Sequence, residues 1–300
     1  MGKGESFTFP GLSFAATIIM ILAGLFVQSF IVVVNVLNWM NRGSLKPADQ
    51  IITSLGITKI LYHAVSFSEV FANLYYRELY HEYFIINIFT AQTLALSTIW
   101  LSTSLSIFFC FKISNFHNVF FLRLKAIISQ TVSYLIIASV LFAFGISLTC
   151  FFLTFNVSCR NSTSDFHLEF TKTMQTLSSC DVLWNIFPAH MYFLSSVLLI
   201  ISLSFHMWRM KHCGNAISSM DTYHRIMKFT AISFLVCALQ ITLNLNKKYG
   251  FRFFGVLGMI LIWNMFPILH SMSLIYIKTR LRNQFFKLVH CGSSFFNRNV

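Results

Sequence analysis

The chain has 300 residues, of which 56% are hydrophobic, 17% aromatic and only 10% charged. A soluble domain carries about a quarter charged residues to cover its water-facing surface, so an ordinary soluble fold is excluded. The net charge of +13 is spread between apolar runs instead of on one soluble face, which assigns it to membrane topology and not to nucleic-acid binding.

Seven cysteines stand singly, with no CxxC pair and no His/Cys cluster at metal-ligand spacing, so neither a metal nor any other cofactor is expected. Only nine carboxylates are present, and GxSxG, HExxH and phosphate-cradling glycine loops are missing from the sequence, so the chain is not expected to be an enzyme.

Seven apolar runs are long enough to cross a hydrocarbon layer, for which about 20 helical residues suffice: 12–37, 51–74, 84–111, 126–152, 184–208, 226–245 and 253–277. Their continuous apolarity excludes a closed barrel, whose strands alternate. The first run is too long for a signal-peptide core and lacks a cleavage site after it, so it is expected to remain as the first span. The second contains Lys59 and Glu69, which are costly in a bilayer interior and therefore candidate functional residues. Ten residues of helix separate them by about 15 Å, too far for direct pairing.

The third run ends at Lys112, and a polar patch with Asn115 and His117 leads to Arg123 and Lys125 just before the fourth run. That is how a helix leaves a bilayer on its positively charged side, turns and re-enters. The long connection at about 153–183 holds two glycosylation sequons, at Asn156 and Asn161, and two cysteines, Cys159 and Cys180, which either bridge or stay free. Beyond the seventh run, Leu281, Phe285 and Leu288 share one helical face with Arg280, Arg282 and Lys287 on others, as in an amphipathic helix at an anionic surface; a basic tail without fixed structure is the alternative. Cys291 stands where palmitoylation occurs in such tails.

Counting Lys and Arg orients the bundle. One set of connections holds fourteen against two acidic residues, the other seven against six. The expected arrangement is a short extracellular amino terminus (1–11), a seven-transmembrane-helix domain (12–277) and a cytoplasmic tail (278–300).

The wording of several stretches resembles one family. Residues 108–116 (FFCFKISNF) followed by 121–125 (FLRLK) are similar to the junction of helix three and the second inner loop in bitter taste receptors, the taste receptors type 2. Residues 24–31 (GLFVQSFI) resemble that family's Gly-x-x-x-Asn-x-Phe-Ile, with Gln28 where Asn is usual. Trp39, Asp49, Gln50, Leu55 and Ile57 match its first inner loop and second helix, with Lys59 in place of Arg. Pro188, Leu199, Ser202, Leu203 and His206 fit its fifth helix, and His224, Lys228 and Ser233-Phe234-Leu235 its sixth. Pro267, His270 and Ser271 fit its seventh, with Lys278 where Asn is usual. The Asp/Glu-Arg-Tyr and Asn-Pro-x-x-Tyr motifs of rhodopsin-like receptors do not occur.

The resemblance implies an all-α seven-transmembrane-helix G-protein-coupled receptor with a short amphipathic C-terminal helix, in the plasma membrane. It would bind small hydrophobic or amine-bearing agonists from outside and activate a gustducin-like heterotrimeric G protein, alone or as a receptor oligomer. The ligand site would draw on Glu69, Gln92, Ala95, Leu96, Asn185, His190, Asn244 and Met259. Ala95 and Ala91 replace the Asn and Trp frequent in the family, so ligand preference does not carry over. Lys112, Asn115, His117, Arg123, Lys125, His206, His224 and Lys228 would ring the G-protein cleft, while Gln28, Lys59, His270 and Ser271 would form a structural switch. Lys59 is expected to donate to groups such as Gln28, as interhelical glue or as a switch. Glu69 either meets a ligand ammonium, or snorkels outward or pairs with Arg77 or Lys248. Vomeronasal type 1 pheromone receptors share the architecture, and a small transporter is a further alternative, although no internal repeat supports it.

Overall fold

The computed structural model describes residues 8–75, 80–113, 123, 127, 130–160, 186–205, 207–208, 217–245 and 247–296. They form α1 (Thr8–Arg42), α2 (Pro47–Tyr75), α3 (Tyr80–Ile113), α4 (Val132–Arg160), α5 (Ile186–Phe205), α6 (Ile217–Leu245), α7 (Lys247–Ile277) and α8 (Thr279–Phe296). The described residues include no strand. Helices α1 to α5 and α7 are each long and apolar enough to cross a membrane, and the remaining expected span, 226–245, lies inside α6. The fold is therefore an all-α membrane bundle closed by an amphipathic helix.

Most helices outrun the apolar stretches that reveal them. α1 gains residues at both ends, α6 begins at Ile217 instead of near 226, and α4 starts at Val132 but runs to Arg160. Apolarity marks only the segment within hydrocarbon; the backbone bonds of a helix continue into the interfacial layer, where polar side chains are tolerated. One consequence is that Asn156 and Cys159 stand on the last turns of α4, in what the sequence suggests is already a loop. Asn161 and Cys180 lie outside the described residues.

α1 ends at Gly43, whose φ of 71° is a left-handed conformation that a Cβ would strain. Its N–H closes the helix on the Trp39 carbonyl at 2.8 Å. The turn delivers the chain into α2, which packs against α1 and α3.

The largest apolar core sits toward the basic end of the bundle and gathers Ile31, Ile51, Leu55, Leu101, Leu105 and Leu274 from α1, α2, α3 and α7. α8 closes it: Leu281 is buried in the same core, Phe285 meets Phe30 of α1 edge-on at 5.5 Å, and Arg280 donates to the Val34 carbonyl at 3.0 Å. The outer faces are apolar as well, with Ile19, Leu22, Phe26 and Val33 exposed along α1 and Leu141 and Phe144 along α4. A water-facing surface would not carry such stripes; lipid requires them.

α3 crosses the centre and is tied sideways by hydroxyls, since lipid-bathed helices gain little from burying more apolar area. Ser104 pairs with Ser139 of α4 at 3.1 Å, Ser106 with Ser195 and Ser196 of α5 at 2.9 and 3.2 Å, and Thr103 donates to the Pro188 carbonyl at 3.2 Å.

Candidate functional site

Pro267 lacks an N–H and interrupts the bonding of α7. Around it α1, α2 and α7 meet in a buried polar knot. Lys59 is 1% exposed, and its ammonium donates to Ser271 Oγ at 2.9 Å, His270 Nδ1 at 3.0 Å and the Pro267 carbonyl at 3.4 Å. Ser271 in turn donates to Gln28 Oε1 at 2.9 Å, and Gln28 Nε2 donates to the Pro267 carbonyl at 3.2 Å. Lys59 thus reaches Gln28 through Ser271 and a shared carbonyl, not by the direct bond that the sequence suggests. Each ammonium proton has an acceptor, and among the described residues no carboxylate pairs with it. Three dipoles take the place of a counter-ion. His270 accepts on Nδ1, and its ring meets Phe229 of α6 at 5.8 Å and 62°, so the knot touches a fourth helix.

One turn further along α2, His63 is fully buried with Nδ1 2.6 Å from Oδ1 of Asn264 on α7. Asn264 Nδ2 donates to the Ile260 carbonyl at 2.8 Å. At Gly24 of α1 a Cβ would overlap the His63 ring, so only glycine admits this close approach.

At the basic end, Lys278 between α7 and α8 forms an ion pair with Asp49 in the first turn of α2. Burial pushes the Lys278 ammonium below its usual range, Asp49 opposes that, and Arg280 and Lys112 push it down further. Ser133 of α4 donates to Gln50 of α2 at 3.4 Å, and Lys112 stands over the Phe108 ring at 5.6 Å.

The candidate ligand residues are only partly brought together. Glu69, Gln92 and Ala95 are part-buried on the adjoining helices α2 and α3, which touch near this level through Ser68 and Asn87 at 3.5 Å. Among the described residues Glu69 has no ion-pair partner; Arg77 and the Lys248 side chain lie outside the described set. Three other candidates have settings of their own. Leu96 is 2% exposed in a cluster with Ala143, Ile146 and Cys150 of α4, because its position on α3 turns toward that helix. Met259 is fully buried. His190 is exposed, its Nδ1 turned back on the Ile186 carbonyl at 2.7 Å. Asn185 and the side chain of Asn244 lie outside the described residues.

Of the expected G-protein set, Lys112, Arg123, His224 and Lys228 are exposed. Asn115, His117, Lys125 and His206 lie outside the described residues. Sequence reasoning missed His63, Asn264 and the Asp49–Lys278 pair. A signal for His63 existed: it follows Lys59 by four residues, so both project from one face of α2.

The chain is similar to known proteins. The family model described as taste receptor protein (TAS2R) matches residues 8–293. Similar proteins include taste receptor type 2 member 50 of Macaca mulatta, 29% identical over 237 residues that cover 74% of this chain and 76% of that one. Member 66 of Pan paniscus is 28% identical over 264 residues, covering 82% of this chain and 81% of its own. Member 46 of Homo sapiens is 26% identical over 264 residues with the same coverage. With the matched region running from the start of α1 into the last turn of α8, the chain belongs to the taste receptor type 2 (TAS2R) family.

Proposed function

We propose that this bitter taste receptor works at the plasma membrane with its amino terminus outside and its basic tail in the cytosol. It takes small hydrophobic or amine-bearing molecules from outside and activates a gustducin-like heterotrimeric G protein. The observation that carries the ligand class is Glu69, part-buried on α2 toward the end opposite the basic one, with no ion-pair partner among the described residues. A carboxylate in that setting attracts an ammonium strongly, because low dielectric strengthens the pairing. Gln92 and Ala95 on the adjoining α3 extend the same site.

The opposite end supports coupling. Lys112, Arg123, His224 and Lys228 are exposed there and, with Asn115, His117, Lys125 and His206, would ring a cleft that accepts a helix of the G protein. Between the two ends, the Gln28–Lys59–His270–Ser271 knot serves as the switch. It grips α7 at its proline and reaches α6 through Phe229, so a ligand that shifts α7 biases one of two packings.

The test is a panel of bitter compounds, rich in amines, applied to cells that express the chain with a chimeric G protein. A calcium response to members of that panel is expected. Silence to it, with a response to volatile or pheromonal compounds, would move the chain to another ligand class.

A further inference from the structure

Asn264 fixes the protonation of its partner by elimination. The Ile260 carbonyl can only accept, so the nitrogen of the Asn264 amide faces it and the oxygen faces His63. An amide oxygen is also only an acceptor, so His63 carries its proton on Nδ1. In the neutral ring that leaves Nε2 as a bare acceptor, fully buried and, among the described residues, without a hydrogen-bond partner, at the point where the ring presses on Gly24. A buried polar atom left unpaired is costly and calls for a reason.

Position supplies one. His63 lies six residues from Glu69 and four from Lys59 on α2, while Asn264 lies five residues from Met259 and three from Pro267 on α7. The His63–Asn264 bond therefore sits between the proposed ligand level and the proline knot, and it is the only side-chain hydrogen bond between α2 and α7 above that knot among the described residues. Gly24 completes a three-helix contact in which the ring fills the space a Cβ would take.

We propose that His63 is the positioning residue of this contact: its Nδ1–H on Asn264, with the ring wedged against Gly24, sets the register of α7 against α1 and α2. Ligand occupancy near Glu69 is passed to the Lys59–His270 pair through that register. The inference rests on the receptor function proposed above. The link to α7 is one hydrogen bond, so a modest shift of α7 costs a single bond.

Two measurements test it. In purified receptor labelled with 15N-histidine, the signal lost in His63→Gln must be that of a neutral ring with Nδ1 protonated and Nε2 bare. An Nε2-protonated ring or an imidazolium overturns the geometry, whether or not an agonist is known. In cells at matched surface level, His63→Phe keeps ring volume but strands the Asn264 oxygen, and it is expected to cut the maximal response about tenfold while the half-maximal dose moves little. His63→Gln, which retains an N–H donor, should recover much of that response, and Gly24→Ala should mimic His63→Phe by driving the ring off Asn264. The double variant His63→Phe with Asn264→Leu leaves no stranded group, so it controls for misfolding. It should reach the surface yet signal poorly; full signalling by it, or by His63→Phe, overturns the proposal. A wild-type receptor silent to the whole panel refutes the receptor function instead, and the 15N measurement then decides the contact.

Discussion

The side-chain nitrogen of Lys59 lies 3.0 Å from Nδ1 of His270, a lysine held against an imidazole inside a membrane bundle. Two residues that depart from the family's usual pattern, Gln28 and Lys59, meet around the same Pro267 carbonyl. Lys is shorter-reaching and less branched than the usual Arg, and Gln is one methylene longer than the usual Asn, so the two departures compensate in length.

That compensation is measurable. Lys59→Arg alone overfills the knot and Gln28→Asn alone leaves the Ser271 hydroxyl short of its acceptor, so each single variant should lower thermal stability and surface level. Together they should recover, with a coupling energy of roughly 0.5–3 kcal/mol in a double-mutant cycle. Additive losses would show that the pair is not coupled. Lys59→Met, which leaves His270 Nδ1 without its donor and the Pro267 carbonyl with Gln28 alone, should cost ~1–3 kcal/mol.

The Asp49–Lys278 pair joins the start of α2 to the α7–α8 junction. Asp49→Asn leaves a mostly buried ammonium among Arg280 and Lys112, so it should destabilise the receptor more than Lys278→Asn, which restores the residue usual in the family. About 1–3 kcal/mol is expected for the first, read as a fall in melting temperature of the purified receptor. Equal effects would indicate that the pair is a solvated surface contact.

Glu69→Gln removes a charge and keeps the shape. Half-maximal doses of cationic agonists should rise by the equivalent of roughly 1–3 kcal/mol while neutral agonists are spared. A common shift for both classes would identify Glu69 as a packing residue.

The two sequons should behave differently. Asn156 sits on the helical backbone of α4, whereas an acceptor asparagine belongs to a surface loop. Asn161→Gln is expected to remove the glycan-dependent mass shift on a gel, and Asn156→Gln to leave it. The reverse result would mean that the last turn of α4 opens in the nascent chain.

The spans were legible because a run of apolar residues as long as a bilayer is thick would be insoluble anywhere but in lipid, and Lys59 stood out because a cation interrupts such a run. What apolarity does not report is where a helix ends once it has left hydrocarbon, which is why α4 and α6 extend beyond expectation. Nor does it report rotation about the helix axis. Leu96 and Ala95 are neighbours in sequence, yet Leu96 is sealed against α4 while Ala95 remains part-buried. His63 and Asn264 were passed over because a single His or Asn in an apolar run is common, and their pairing across 201 positions becomes visible only when α2 and α7 are placed side by side.

The seam that α1 forms with α7 and α8 has a bearing on biogenesis. Gln28, Phe30 and the Val34 carbonyl sit on α1, which leaves the ribosome long before α7 and α8 supply their partners Pro267, Phe285 and Arg280. Until then α1 must wait in the bilayer with its polar face unanswered, a state that quality-control machinery recognises. Premature termination ahead of Pro267 would therefore do more than trim a tail: it would leave α1 without its closing contacts and strand the whole receptor in the secretory pathway.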